Sequence, residues 1–389
     1  MKIKTKPEDF VVSEVADISP EAKGDFALYL LKKNNITTWE ALGRLAKHLH
    51  IPLSKVGYGG LKDKRAVAHQ YITIYQGPKK DLKFDRFELI YLGQTSKPMD
   101  QSKLLGNRFE IMVRDVEVSD KALEEEVERV KKYGVPNYFD EQRFGSVKGG
   151  KKPEFAAKYI IKGDYERALY LAMVTASPDE IQESKKFREC LKKNWRKWEN
   201  CLSLAKLKWE KELLNFLTLH QPSKRTFKRA LQLMDREYLF FLGNAYQSYL
   251  WNEVLKRVLE RLSAVDFKVP YTLGELYFYR NLDEEKQEKL RGLKIPLPAP
   301  KLNLEKNEPV VQSAFREVLL AEGLKELKEL RSLVKGLIFK SYPRPAVVFP
   351  QELRFERLGE RAVKLFFFLE KGSYATLIVK RIFYACANA

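Results

Sequence analysis

The chain has little of what metal and redox chemistry require. Three cysteines, Cys190, Cys201 and Cys386, are spread over 389 residues, too few and too scattered for a disulfide framework or a CxxC metal site. A reduced chain is expected. There are four histidines, and His48 and His50 lie two apart on an expected helix; a helical zinc site spaces them four apart. No metal centre is expected. No stretch approaches eighteen uninterrupted apolar residues, and the opening MKIKTKPEDF lacks the apolar core of a signal peptide. The expected protein is soluble and cytoplasmic, with no membrane partner. A phosphate-binding P-loop is also missing. That motif needs Lys directly after its last Gly and a hydroxyl next, whereas Gly60 is followed by Leu61, Lys62 and Asp63.

What is abundant is positive charge. Seventy-one Lys and Arg stand against 52 Asp and Glu, a net +19, which in a folded chain points to a polyanion, most often nucleic acid. With 44% hydrophobic and 12% aromatic residues the chain can bury real cores, and its length suits two or three domains. Between Lys185 and Arg229 fourteen Lys/Arg face four Glu. So concentrated an excess implies a partner. Trp195, Trp198 and Trp209 lie among these charges and are expected to face a helical core.

One stretch stands out for chemistry, GYGGLKDKRAVAHQ from Gly57 to Gln70. Its glycines allow a sharp turn and a close approach to a ligand. Asp63 is wedged between Lys62, Lys64 and Arg65, and neighbouring cations favour its anionic form. That suits a nucleophile or an electrostatic partner better than a proton donor. Gln70 to Gln76 alternates like a strand, so Asp63 is expected on a loop entering a rigid element. The plain alternative is a solvated turn.

Around it the pattern is α+β. Strands are expected at Phe10 to Val12, Phe26 to Leu31 and Leu105 to Val113, the last with Phe109, Ile111 and Val113 on one face. Helices should begin at Thr37, with Glu40 completing a capping box, and at Ser119, with Gly134 as the stop. Residues 135 to 150, VPNYFDEQRFGSVKGG, form an aromatic loop around Arg143, continuing to Lys152. From about 153 to 263 the pattern is helical. Residues 265 to 311 are loop-rich, and LKIPLPAP (Leu293 to Pro300) is expected to form no regular element. Strand signals return at Ala346 to Phe349, Val363 to Leu369 and Tyr374 to Ile382.

Five motifs, in order, resemble the TruD family of tRNA pseudouridine synthases. They are Lys4 with Pro7-Glu8-Asp9-Phe10; G-Y-x-G-x-K-D-K-x-A-V around Asp63; Gly106, Asn107 and Phe109; V-P-N-Y-F-x-x-Q-R-F-G from Val135 to Gly145; and K-G-S-Y-A-T from Lys371 to Thr376. Ala68 stands where the family often has Thr, and Lys380-Arg381 where it has an R-E pair. The resemblance implies a pseudouridine synthase fold, a mixed, mostly antiparallel sheet flanked by helices. A large inserted TRUD domain would run from 146 to 342 between catalytic segments 1–145 and 343–389. It further implies an isomerase acting on uridine in tRNA, usually at position 13, with no cofactor, working as a monomer. Asp63 would be the nucleophile, attacking ribose C1′ or uracil C6. Lys4 would pair with it, Phe109 would stack on the flipped base, and Asn107 would position nucleophile or substrate. Lys62, Lys64, Arg65 and Arg143 would contact RNA. The rival from another class is a non-catalytic RNA-binding or RNA-chaperone protein, in which an anion among phosphate-binding cations has no purpose. A metal-dependent nuclease would need clustered carboxylates, and the loop offers one.

Overall fold

Strands with period-two alternation assemble first into one sheet. In the computed structural model, which describes residues 1–145, 147, 153–175, 180 and 182–387, they are β1 (Phe10–Ala16), β2 (Phe26–Asn34), β3 (Val56–Tyr58), β4 (Val67–Tyr75), β5 (Leu82–Lys83), β6 (Phe87–Thr95) and β7 (Leu104–Arg114). Two strands from the far end of the chain, β8 (Gln351–Arg357) and β9 (Ala362–Glu370), complete it. The order is β8-β9-β7-β1-β4-β2-β6-β5, with β3 also on β4. Only β1 and β4 run parallel among these pairs. Ser146 and Gly149 to Lys152, where the sequence places the start of the insertion and the end of the aromatic loop, lie outside the described residues.

Alternation makes one face of this sheet the buried one. Phe10, Val12 and Glu14 of β1 point the same way, as do Ala68, Gln70 and Ile72 of β4, and Phe109, Ile111 and Val113 of β7. Helix α1 (Thr38–His48) covers part of that face. Thr37 caps it by accepting the Glu40 N–H at 3.1 Å. Its Ala41, Leu42 and Leu45 pack with Tyr29, Leu31, Ile72 and Ile74, each buried leucine contributing about 1.5–3 kcal/mol. Helix α2 (Asp120–Tyr133) starts where Ser119 accepts the Ala122 N–H and stops at Gly134, whose φ of 70° suits glycine.

The strand expected at Tyr374 to Ile382 is instead the body of a helix, α3 (Ala375–Ala387). Its β-branched and aromatic content resembles a strand. Burial nonetheless recurs at Leu377, Ile378, Arg381, Ile382 and Ala385, a helical period. Arg381, wholly buried, donates to Glu126 of α2 at 2.7 Å, so the charge that looks misplaced in a strand is neutralised between two helices.

The chain divides into Met1–Val135 with Val348–Ala389, which holds the sheet, and Pro136–Val347. The second unit is mainly helical, its longest element running from Arg236 to Arg261. The aromatic loop belongs to it. Asn252 brackets Phe139, accepting its N–H and donating to its C=O at 2.8 Å each, and Arg344 caps the Asn137 carbonyl. Trp198 is buried, with Trp195 edge-on at 4.5 Å, and Trp209 stacks on Tyr238 at 5.9 Å. Two expectations fail in this unit. Lys294–Pro296, inside LKIPLPAP, forms a short strand paired with Pro343–Pro345. And Cys190 is disulfide-bonded to Cys201, because the helix Gln182–Lys193 and the turn Trp198–Leu204 bring their Cα atoms to 5.9 Å. The chain is not fully reduced; Cys386 remains a thiol, 3.7 Å from the Ala122 carbonyl.

Candidate active site

Strand β4 carries two neighbours on one edge. β1 pairs with it over Val67, Ala68 and His69, and β3 over Ile72, Thr73 and Ile74. Between them Gln70 and Tyr71 have no strand on that edge, and a buried N–H left there would be costly. Glu14, at the end of β1, fills the fork. Its Oε2 accepts the Tyr71 N–H at 3.0 Å and its Oε1 accepts Gln70 Nε2 at 3.3 Å. Lys62 Nζ lies 2.8 Å from the same Oε1, the two side chains 9% and 0% exposed. A residue expected to face RNA is thus committed to a buried carboxylate.

The neighbours of Glu14 hold the rest of the loop. Gln70 Nε2 donates to the Gly60 carbonyl at 2.8 Å, and its Oε1 accepts from Thr38 of α1. Thr38 Oγ1 in turn accepts the Lys62 N–H at 3.0 Å. From β2, the buried Lys33 donates to the carbonyls of Asp63 (2.6 Å) and Ile36 (2.8 Å). Burial pushes the Lys33 ammonium down to about 8; Asp63 opposes that shift and Lys62 reinforces it. Residues 60, 62 and 63 are therefore tied to three strands and a helix before any ligand arrives. The loop glycines play a different part from the one expected. None has a positive φ; a Cβ on Gly57 would instead meet Thr73 Oγ1 and the Met99 carbonyl at 2.6 Å. The smallness of Gly57 and Gly59 lets the loop pack closely on its own chain rather than turn sharply.

Asp63 ends up with its carboxylate 36% exposed and 2.5 Å from Lys4 Nζ. Lys4 reaches it from the segment before β1, which is bridged to the end of β7. Lys2 and Arg114 exchange backbone hydrogen bonds at 2.8 Å, and Lys4 takes a left-handed φ of 56°. Asp9, in the turn Pro7–Asp9, is gripped by the Arg114 guanidinium, which holds its carboxyl below the usual range. The Lys4 ammonium also sits 4.2 Å from the centroid of the Phe10 ring. Phe10 meets Phe109 edge-on at 5.9 Å, and Phe109 leans on Phe367 at 5.5 Å. Asn107 faces Glu14 across the β1–β7 pair, and its buried Oδ1 accepts no hydrogen bond among the described residues. Gly106 has no room for a side chain, since a Cβ would overlap the Leu369 carbonyl oxygen.

The structure therefore pairs Lys4 with Asp63 and links them through Phe10 to the buried Phe109, with Asn107 two residues before Phe109 on β7. Lys64 and Arg65 are exposed beside Asp63. Arg143 lies in the other unit, where it donates to Ser248 at 2.9 Å and stacks against Phe139. Sequence reasoning missed Glu14, Lys33, Thr38 and Gln70. A signal for two of them was present, because Glu14 and Lys33 share the strand period of the apolar residues two positions before them. Among the described residues no cluster of His, Cys, Asp and Glu could hold a metal, and no helix is long and apolar enough to cross a membrane.

Comparison with known proteins gives one answer. The family model for tRNA pseudouridine synthase D (TruD) matches residues 1–382. A protein of Methanocaldococcus jannaschii named "Probable tRNA pseudouridine synthase D 2" is 35% identical, over 98% of this chain and 92% of its own. One from Methanococcus maripaludis is 33% identical over 98% and 99%, and "tRNA pseudouridine synthase D" of Aquifex aeolicus is 32% identical over 98% of each. The crystal structure of a TruD protein from Methanosarcina mazei has the same fold, with a TM-score of 0.69 at 24% identity over 98% of this chain and 93% of that one. With a family model matching nearly end to end and full-length relatives above 30% identity, the chain belongs to the tRNA pseudouridine synthase D (TruD) family.

Proposed function

We propose that this protein isomerises uridine to pseudouridine in tRNA, at position 13, with Asp63 as the nucleophile. The observation that carries this reading is the carboxylate of Asp63, paired with Lys4 at 2.5 Å on a loop fixed by buried polar side chains, beside the Phe10–Phe109–Phe367 aromatic cluster. Preorganised geometry is what a single attacking group needs. In the reaction the N1–C1′ bond breaks and a C5–C1′ bond forms, C5 giving up a proton and N1 taking one. Asp63 forms its transient covalent bond at C1′ or at C6. Lys4 holds the carboxylate in place. The target uridine leaves its stack to be reached, and Phe109, buried between Phe10 and Phe367, is the ring it would stack on. Asn107 offers an unused acceptor beside it. Lys64 and Arg65 contact the RNA backbone, whereas Lys62 and Lys33 position the loop. The Pro136–Val347 unit corresponds to the inserted TRUD domain, and the enzyme works as a cytoplasmic monomer.

The test is pseudouridine formation in unmodified tRNA transcripts by wild type and Asp63→Ala, with RNA binding measured in parallel. Product from wild type, and binding without product from the variant, is the expected result. Binding by both with product from neither would favour the non-catalytic RNA-binding reading, and activity surviving in the variant would mean another nucleophile.

A further inference from the structure

Within the Pro136–Val347 unit a cleft of 1440 Å³ lies between two irregular stretches, around residues 299–307 and 328–343. Its rim carries Lys301, Lys306, Lys328, Arg331 and Lys340, and no carboxylate lines it. Lys328 is partnered by Glu326 at 2.7 Å; the other four make no ion pair among the described residues. Elsewhere in this unit Lys158 is neutralised by Glu322 and Arg196 by Glu166. Composition hides this concentration. From 299 to 343 eight Lys/Arg are nearly balanced by six Glu, a net of +2, and it is the fold that turns one sign toward the cleft. Unpaired like charges on one rim repel each other, so an anionic partner is what makes the arrangement favourable.

The wall is built rather than loose. Residues 331–342 run for twelve residues without helix or strand, a length that in a compact unit usually serves function. Leu330, Val334 and Leu337 nevertheless anchor it in the core. Ile338 is left 50% exposed within the cleft, and Tyr342, just beyond it, is equally exposed. Cations on the rim with apolar groups within reach match a strand that carries phosphates outside and flat bases inside. We propose that this cleft docks an RNA segment, its phosphates on Lys301, Lys306, Arg331 and Lys340 and an unstacked base against Ile338. The proposal rests on the RNA-modifying reading above and names where on the second unit the substrate is held.

The experiment compares wild type with Lys301→Glu/Arg331→Glu/Lys340→Glu in binding of an unmodified tRNA transcript from 0.05 to about 0.5 M salt. Three phosphate contacts on single-stranded RNA carry about 2 of the slope of log K against log salt, roughly 40-fold in Kd at about 0.15 M relative to 1 M. The variant should show that rise in Kd and that flatter slope, with kcat at saturating tRNA unchanged. Gln at the same three exposed positions repeats the test if reversed charge disturbs folding. As control, Lys192→Glu/Lys193→Glu/Lys197→Glu removes three exposed cations from the basic helical stretch. Wild-type Kd and slope in the cleft variants, or weakening by the control triple alone, would overturn the proposal. If wild type forms no pseudouridine, the isomerase reading falls, while the binding comparison still decides the cleft.

Discussion

Removing the carboxylate of Glu14 should damage the protein more than removing Glu14 and Lys62 together. In Glu14→Gln the Lys62 ammonium, 9% exposed, loses its counter-charge without gaining water. Breaking a buried pair from one side costs about 3–5 kcal/mol, whereas replacing both members is often close to neutral. Lys62→Met leaves Glu14 buried with only its bonds to Tyr71 and Gln70 and should cost about 3 kcal/mol. With the double variant close to neutral, it should be more stable than the sum of the singles by about 6 kcal/mol. Urea unfolding of the four proteins, followed by circular dichroism, measures that coupling. Catalysis supplies the second readout. A shift of about 1 Å in Asp63 is worth roughly 100-fold, so single-turnover pseudouridine formation at saturating tRNA should fall by about that factor in both single variants. Their tRNA Kd should stay within about twofold, because an ammonium bound to Glu14 has no phosphate to lose. Additive destabilisation, or a Lys62→Met variant that binds tRNA weakly yet reacts at the wild-type rate once saturated, would refute the positioning role and return Lys62 to the RNA.

Two further outcomes follow from the same physics. Lys33 is held at about 8, below its ordinary 10.5, so between these values the unfolded chain binds more protons than the folded one and stability rises with pH. Wild type should therefore gain on the order of 2 kcal/mol relative to Lys33→Met between about pH 7 and pH 9.5; a difference independent of pH would mean that Lys33 is not held as its burial implies. The disulfide closes a span of eleven in sequence, and the chain-entropy account gives about 2.5–3 kcal/mol for a loop of that size. Cys190→Ser/Cys201→Ser should melt earlier than the oxidised wild type and match the reduced protein, with pseudouridine formation unaffected below the transition.

Legibility followed periodicity. The Asp63 loop, β7 and its face, and α2 from its Ser119 cap to Gly134 could be read because one local rule governs each. The position of Lys4 against Asp63 rested on the family motifs, since nothing local joins residues 59 apart. Glu14 and Lys33 were passed over because a charged residue in a strand is ordinarily assigned to the solvent face. Both keep the apolar phase of their strands, and that coincidence was the available clue. α3 was misread because residue preference was weighed above spacing. The disulfide was missed because counting cysteines says nothing about a helix and a turn that happen to bring two of them together.

The order of the strands has a consequence for how the protein is made. Every side chain of the Asp63 clamp, from Lys4 to Gln70, and Phe109 as well, leaves the ribosome before the Pro136–Val347 unit begins. The strand that covers β7 on its outer side, β9, comes only after that unit has been synthesised. Until then β7 is a bare edge eleven residues long, and Phe109 lacks Phe367. An edge of that length invites pairing with other chains. The hazardous interval in biosynthesis is thus set by the length of the intervening unit, and a nascent chain stalled within it would carry an assembled Asp63 loop on an open, adhesive sheet.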